Sequence, residues 1–161
     1  MTDLIIRRAR KEDFPLLIAL WREMMDVHYS IDKKFELSLN PDAAYLDYLH
    51  SIADNYDYAI FVAQQGNELV GYTIGMILAN PAIFALDRYG FIAEMSVAKQ
   101  HQQKGVGKQL WLHVRRWFHR RGIQVIQLNV APGNEQGYAF WKKVGFDEFL
   151  HILWHDIPKN P

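Results

Sequence analysis

The stretch from residue 91 to residue 130 constrains the fold more than any other part of this 161-residue chain. Residues 91–97 have strand character. From Val106 the period becomes helical, with Val106, Leu110, Val114, Trp117 and Phe118 on one face. Gly122 stops that helix, and Ile126, Leu128 and Val130 then alternate as in a strand. Strand, helix and strand in succession make a right-handed crossover between parallel strands. The segment is long enough for that crossover, so a sheet with at least one parallel pair, covered by a helix, is expected.

The other elements build around that unit. Residues 4–9 read as a short first strand. Asp13 is placed to cap a helix whose stripe is Phe14, Leu17, Ile18, Trp21, Met24 and Met25, with Pro15 in its tolerant first turn. After a polar stretch at 31–40, a second helix runs over about 41–54, carrying Tyr45, Leu46, Tyr48, Leu49 and Ile52. Strands over 58–64 and 68–79 meet at Gln65-Gly66-Asn67, a hairpin signal, and 88–97 is a fourth strand. A last helix covers about 134–144, followed by closing strands over 146–150 and 152–157. The expectation is one domain over residues 1–161, an α/β (α+β) fold of order βααβββαβαββ. Its sheet is mixed, with helices on both faces.

Composition removes several functions. Lysine plus arginine and aspartate plus glutamate are both 18, so the net charge is zero, and no nucleic-acid partner is expected. The chain has no cysteine, which excludes disulfides, thiolate nucleophiles and cysteine-bound zinc. The seven histidines contain no His-Glu-x-x-His motif, so no metal is expected, and no Gly-x-Ser-x-Gly elbow supports a serine nucleophile. Residues 69–86 are uncharged, but Asn80-Pro81 interrupts them, so they read as a buried strand and loop rather than a membrane span. Residues 1–11 are charged and lack a signal-peptide run. Together these features point to the cytoplasm, with no membrane partner.

The residues with the clearest chemistry are Gln102, Gln103, Lys104, Gly105, Val106, Gly107 and Lys108. A strand has ended, two glycines permit close backbone approach, and a helix begins. Free amides at the positive end of a helix suit a phosphate or pyrophosphate. A tight turn with solvated lysines is the plain alternative. Charge favours the anion site. Between Met95 and Asn134 there is no acid, while Lys99, Lys104, Lys108, Arg115, Arg116, Arg120 and Arg121 are basic. Between Glu23 and Asp57 the sign reverses, eight acids facing only Lys33 and Lys34. A chain divided in this way can hold a polyanion on one half and a cation near the other.

In that context Gln102-x-x-Gly105-x-Gly107 resembles the Gln/Arg-x-x-Gly-x-Gly/Ala acyl-CoA loop of the GCN5-related N-acetyltransferase (GNAT) superfamily. Met95-Ser96-Val97 resembles the end of that family's fourth strand. Asn134 with Trp141-x-x-x-Gly145-Phe146 resembles its late signature, and the element order agrees from Ile5 to about Ile157. The resemblance implies a mostly antiparallel sheet and acetyl-CoA as cosubstrate. Its pyrophosphate would lie on the amides of Gln103 to Lys108, and its pantetheine arm against the backbone of Met95 and Val97. Asn134 would contact the same arm, and Trp141 stands in the signature nearby. Homodimers are common in the family, so a second copy is an open expectation.

One position departs from the family pattern. The frequent general acid is a tyrosine, and Trp141 stands there; indole is a hydrogen-bond donor only. Tyr138 is the nearest substitute, about 40° to one side of Asn134 on the helix where Trp141 is about 20° to the other. For a general base the candidate is Glu94. Strand alternation puts Phe91, Ala93, Met95 and Val97 on one face and leaves Ile92, Glu94 and Ser96 on the other. A carboxylate among apolar residues needs a partner or a function, and burial raises its pKa toward a useful base. An ion pair with Arg88 is the structural alternative. The expected activity is acetyl transfer from acetyl-CoA to a primary amine, a small cationic acceptor, by direct attack in a ternary complex. A non-catalytic acyl-CoA sensor on the same fold is the competing expectation.

Overall fold

The computed structural model describes residues 3–158. Its five-stranded sheet runs β1 (Leu4–Arg8), β2 (Tyr58–Gln65), β3 (Glu68–Ala79), β4 (Arg88–Val97) and β5 (Ile126–Leu128), in sequence order. The first four strands pair antiparallel, and β5 pairs parallel to β4, as the crossover requires. Helices α1 (Phe14–Ile31) and α2 (Pro41–Ala53) bury Phe14, Leu17, Trp21, Tyr45 and Leu49 against one face of the sheet. On the other face lie α3 (Val106–Arg120) and α4 (Glu135–Lys143), with Trp111, Val114 and Phe118 at the centre of the packing. Gly75 and Gly90 let α3 approach closely. A Cβ would stand 2.7 Å from the Val114 side chain at Gly75 and 2.7 Å from the Phe118 ring at Gly90. The uncharged stretch that needed clearing is β3 and the loop after it, and no described helix is long and apolar enough to cross a membrane.

Two expectations change. Asp13 does not cap α1 with its side chain. Its carboxylate accepts from both terminal nitrogens of Arg7, at 2.7 and 2.9 Å, and from the Arg10 amide at 2.6 Å. It closes the 3-10 turn Lys11–Asp13 ahead of the helix and ties it to β1. The closing strands over 146–150 and 152–157 are not formed. A strand needs a ladder. Beyond the Phe146 amide, which donates to Trp141, no backbone bond joins this arm to the other described residues. Phe149, Leu150, Ile152, Leu153, Trp154 and Ile157 are all exposed in consequence.

Candidate active site

The site begins with an irregularity in β4. Ile74 pairs with Glu94 but Gly75 pairs with Ile92, so Ala93 is an extra residue and the strand bulges there. This corrects the alternation. Ile92 packs with α3, whereas Ala93 packs toward the α1–α2 face. Glu94 and Ser96 also turn to that side, where Ser96 Oγ donates to the Leu20 carbonyl at 3.0 Å. The parallel pairing with β5 covers only Gly90, Phe91 and Ile92. From Ala93 onward, through Met95 and Val97, the edge of β4 has no strand beside it among the described residues. An extended ligand can add to such an edge through backbone hydrogen bonds.

Glu94 lies beneath α2. The hydroxyls of Tyr45 and Tyr72 both donate to Oε2, each at 2.7 Å, and the two hydroxyl oxygens are 3.0 Å apart. The Tyr45 ring is stacked on Trp21 at 4.3 Å with an interplanar angle of 8°. Among the described residues every buried side-chain oxygen has a hydrogen-bond partner. Oε1 accepts no bond, so it reaches solvent-accessible space. Burial pushes the Glu94 carboxyl above the ordinary carboxylate range, while the two phenol donors and the His28 side chain pull it back. Arg88, the alternative partner, sits opposite Ala79 at the far end of the strand.

The glycine loop is built from backbone. Gln103 (φ 59) and Gly105 (φ 85) are left-handed on either side of Lys104, which curls the chain into a concavity of amides. Gly105 is the N-cap of α3, and no side chain caps the helix. The first bond to that cap is Gln109 N–H to the Gly105 carbonyl at 3.1 Å, leaving the amides of Val106, Gly107 and Lys108 ahead of it. A Cβ on Gly105 would meet nothing within 4 Å. Gln102 turns inward instead, donating to the Val97 carbonyl at 3.0 Å, and receives Gln136 from α4 at 3.1 Å. The loop, the end of β4 and the start of α4 thus meet. Open amides, an unpaired strand edge and clearance over a glycine fit a phosphorylated, extended cosubstrate.

The α4 residues have local roles. Asn134 Oδ1 accepts the Gly137 amide at 2.9 Å and caps the helix. Trp141 is packed between Trp111, Phe140 and Phe146, with ring centroids 6.0, 4.8 and 5.2 Å away. Tyr138 is exposed, and its hydroxyl donates to Glu148 at 3.0 Å, which raises its pKa. A hydroxyl so engaged must break that bond before it can serve a leaving group.

Charge is divided as expected, but unevenly satisfied. Asp32, Asp42, Asp54 and Asp57 are paired with Lys34, Arg22, Lys11 and Arg121 respectively. The Glu23 carboxylate accepts the Lys99 amide at 3.1 Å. Asp26, Glu36 and Asp47 make no ion pair among the described residues. A cavity of about 1540 Å³ lies elsewhere, beyond β5, between Phe84, Tyr89, Arg116, Gln127 and Phe149. It touches neither Glu94 nor the glycine loop.

Tyr45 and Tyr72 were missed as polar residues because each sits in an apolar stripe. A signal was available: a tyrosine within a continuous apolar strand needs a partner for its hydroxyl, and the lone carboxylate of the next strand is the nearest acceptor.

Comparisons with known proteins follow the same lines. The acetyltransferase (GNAT) family model matches residues 19–146. No curated protein matches the sequence. Among solved structures, a tetramutant of the BH1408 protein from Bacillus halodurans superposes with a TM-score of 0.81 at 14% identity, over 95% of this chain and 99% of that one. The aminoglycoside N-acetyltransferase AAC(6')-Iy in complex with CoA gives 0.78 at 20%, over 98% and 96%. An aminoglycoside acetyltransferase from an uncultured soil metagenomic sample, in complex with sisomicin, gives 0.71 at 18%, over 96% and 97%.

Proposed function

The chain belongs to the acetyltransferase (GNAT) family, and on that premise we propose that it transfers an acetyl group from acetyl-CoA to a primary amine on a small cationic acceptor. The observation that carries the proposal is Glu94: a half-buried carboxylate beside the unpaired edge of β4, with one oxygen held and the other open. Acetyl-CoA supplies the thioester. The amides from Gln103 to Lys108 would hold its phosphates, and the edge at Met95 and Val97 its extended arm. Gln102 joins Gln136 of α4 to the Val97 carbonyl beside that edge, and Asn134 and Trp141 would meet the arm from the same helix. N–H donors along Ala93 to Val97 would face the acetyl oxygen, where they oppose developing negative charge. Glu94 Oε1 takes the ammonium proton and frees the nucleophile. With no cysteine in the chain, direct attack of the amine is the simplest route. Tyr138 would serve the departing thiolate only after releasing Glu148; otherwise water protonates it.

Asp26, Glu36 and Asp47 favour a cation, and an aminoglycoside, which carries several amines, is one such acceptor. The test is release of free CoA from acetyl-CoA over a panel of sisomicin, spermine, lysine and glutamate. Turnover with the polycations and not with glutamate is expected. Binding of acetyl-CoA with no turnover on any amine would favour the sensor.

The proposal includes a homodimer. β5 leaves one sheet edge without a neighbour, and the arm over 147–158 presents Phe149, Leu150, Ile152, Leu153, Trp154 and Ile157 with its backbone unpaired. All six are large apolar side chains left exposed, the kind of contiguous apolar surface that marks an interface. Light scattering should find a dimer that Leu153→Asp with Ile157→Asp splits. A wild-type monomer at micromolar concentration would remove this part of the proposal.

A further inference from the structure

We infer that Tyr45 and Tyr72 are positioning residues for catalysis: by holding Oε2 of Glu94 they aim Oε1 at the proton of the acceptor amine. The inference rests on the reading of Glu94 as the base, and deepens it. Both hydroxyls reach one oxygen at the same 2.7 Å and neither reaches the other oxygen. With one phenol on each oxygen, both would be engaged and neither would be wholly free to face substrate; with both phenols on Oε2, Oε1 keeps its full acceptor capacity. Here the grip comes from two elements, Tyr45 on α2 and Tyr72 on β3, so the carboxylate plane is fixed from two directions. Each ring is itself fixed. Tyr72 is fully buried in the sheet, and Tyr45 is stacked on Trp21 of α1. The base is therefore aimed by packing that the substrate does not have to organise.

The same contacts set the charge state. Four groups face the carboxyl from the elements packed on it: Tyr45 and Tyr48 from α2, Tyr72 from β3 and His28 from α1. Burial raises the Glu94 pKa, and the two phenol donors oppose it by stabilising the ionised form. Tyr45 itself is pushed well above its ordinary value by burial and the neighbouring carboxylate, and Tyr72 likewise. Both hydroxyls therefore remain donors throughout the working pH range. They position and tune but do not exchange a proton with substrate.

Tyr45→Phe and Tyr72→Phe keep the rings, including the stack on Trp21, and remove one donor each. In kcat/KM profiles with acetyl-CoA and sisomicin or spermine, the acid limb should move to higher pH. On that limb the rate should fall about tenfold per substitution, while the alkaline plateau falls less, as for loss of a hydrogen bond to a charged group. Carbon NMR of ¹³C-labelled glutamate, with the Glu94 signal assigned by its loss in Glu94→Gln, should show the carboxyl midpoint rising in both variants. That readout needs no turnover. A midpoint and limb unmoved in both phenylalanine variants, with Glu94→Gln inactive, would overturn the positioning role alone. Full turnover of Glu94→Gln would instead remove the base, and the positioning role with it.

Discussion

The two faces of the sheet treat polar groups in opposite ways. Beneath α1 and α2, a half-buried carboxylate has one oxygen held by two phenols and a single acceptor atom left open. At the start of α3, backbone amides are exposed and uncapped. The contrast follows from the ligands each side is suited to. A proton acceptor needs a defined direction and a tuned pKa, which burial and fixed donors provide. A pyrophosphate needs several donors at once and tolerates solvent, so free amides at a helix start suffice. Between the two runs β4, whose bulge at Ala93 turns Glu94 to one side while its edge beyond Ile92 stays open to the other.

The contrast is broken most severely at the amides. Gly107→Asp puts a carboxylate within the first turn of α3, where a Cβ meets the Phe140 ring at 3.5 Å and the Val97 side chain at 3.8 Å, both ordinary van der Waals contacts, so the fold is retained. Gly105→Asp has more room but must adopt a left-handed backbone, and serves as the second variant. Calorimetric titration with CoA should show affinity reduced by about a hundredfold or more, since like charge replaces donors at the phosphates. Unchanged affinity in a folded protein would move the phosphates elsewhere.

On the other face, Glu94→Gln should lower kcat by about 10²-fold and leave CoA affinity within a few fold, the pattern for losing a general base. Equal losses in both would mean that the two faces are not separable. The same substitution has a signature in stability. The Glu94 carboxyl has a folded pKa above its unfolded one, so the folded state binds more protons between the two values and stability falls as pH rises through that window. Glu94→Gln lacks the penalty. Its melting temperature relative to the wild type should therefore increase from pH 5 to pH 8, and a constant difference would mean that Glu94 is not destabilised by burial.

These sites differed in how far they could be read in the chain. The glycine loop was legible because its function lies in backbone: Gly105 and Gly107 ahead of an amphipathic helix announce both the turn and the open amides. Glu94 was legible as a carboxylate in an apolar strand, but its direction was not. Simple alternation put Ile92 beside it, and the bulge that separates them arises from the pairing of Ile74 and Gly75 on another strand. The phenols were hidden for the same reason, since Tyr45 and Tyr72 are 27 residues apart and meet only through tertiary packing. The arm after Phe146 alternates convincingly as strand, yet a period of two specifies only a face. The ladder partner must come from elsewhere, and the described residues do not supply one.

The smallest expected effect is the most selective test of the acidic side. The ion pairs divide the acids of residues 23–57 into those already neutralised, such as Asp42 with Arg22 at 2.6 Å, and those that are not: Glu23, whose carboxylate accepts only the Lys99 amide, and Asp26, Glu36 and Asp47. Only the second group adds to the field felt by an approaching cation. A unit charge some 8 Å away through water is worth about 0.5 kcal/mol, roughly twofold in KM. Asp26→Asn, Glu36→Gln and Asp47→Asn should each raise KM about twofold for spermine and less for a monoamine, with kcat unchanged. Asp42→Asn frees Arg22 and removes no uncompensated charge, so it should raise KM by adding a cation instead, and Arg22→Gln in the same chain should cancel that rise. Raising salt from 0.01 M to 0.3 M should compress all these differences, because the screening length contracts from about 30 Å to well under 10 Å. KM values insensitive to both salt and substitution would make the acids a solvated outer surface, and the acceptor's charge would then play no part in its selection.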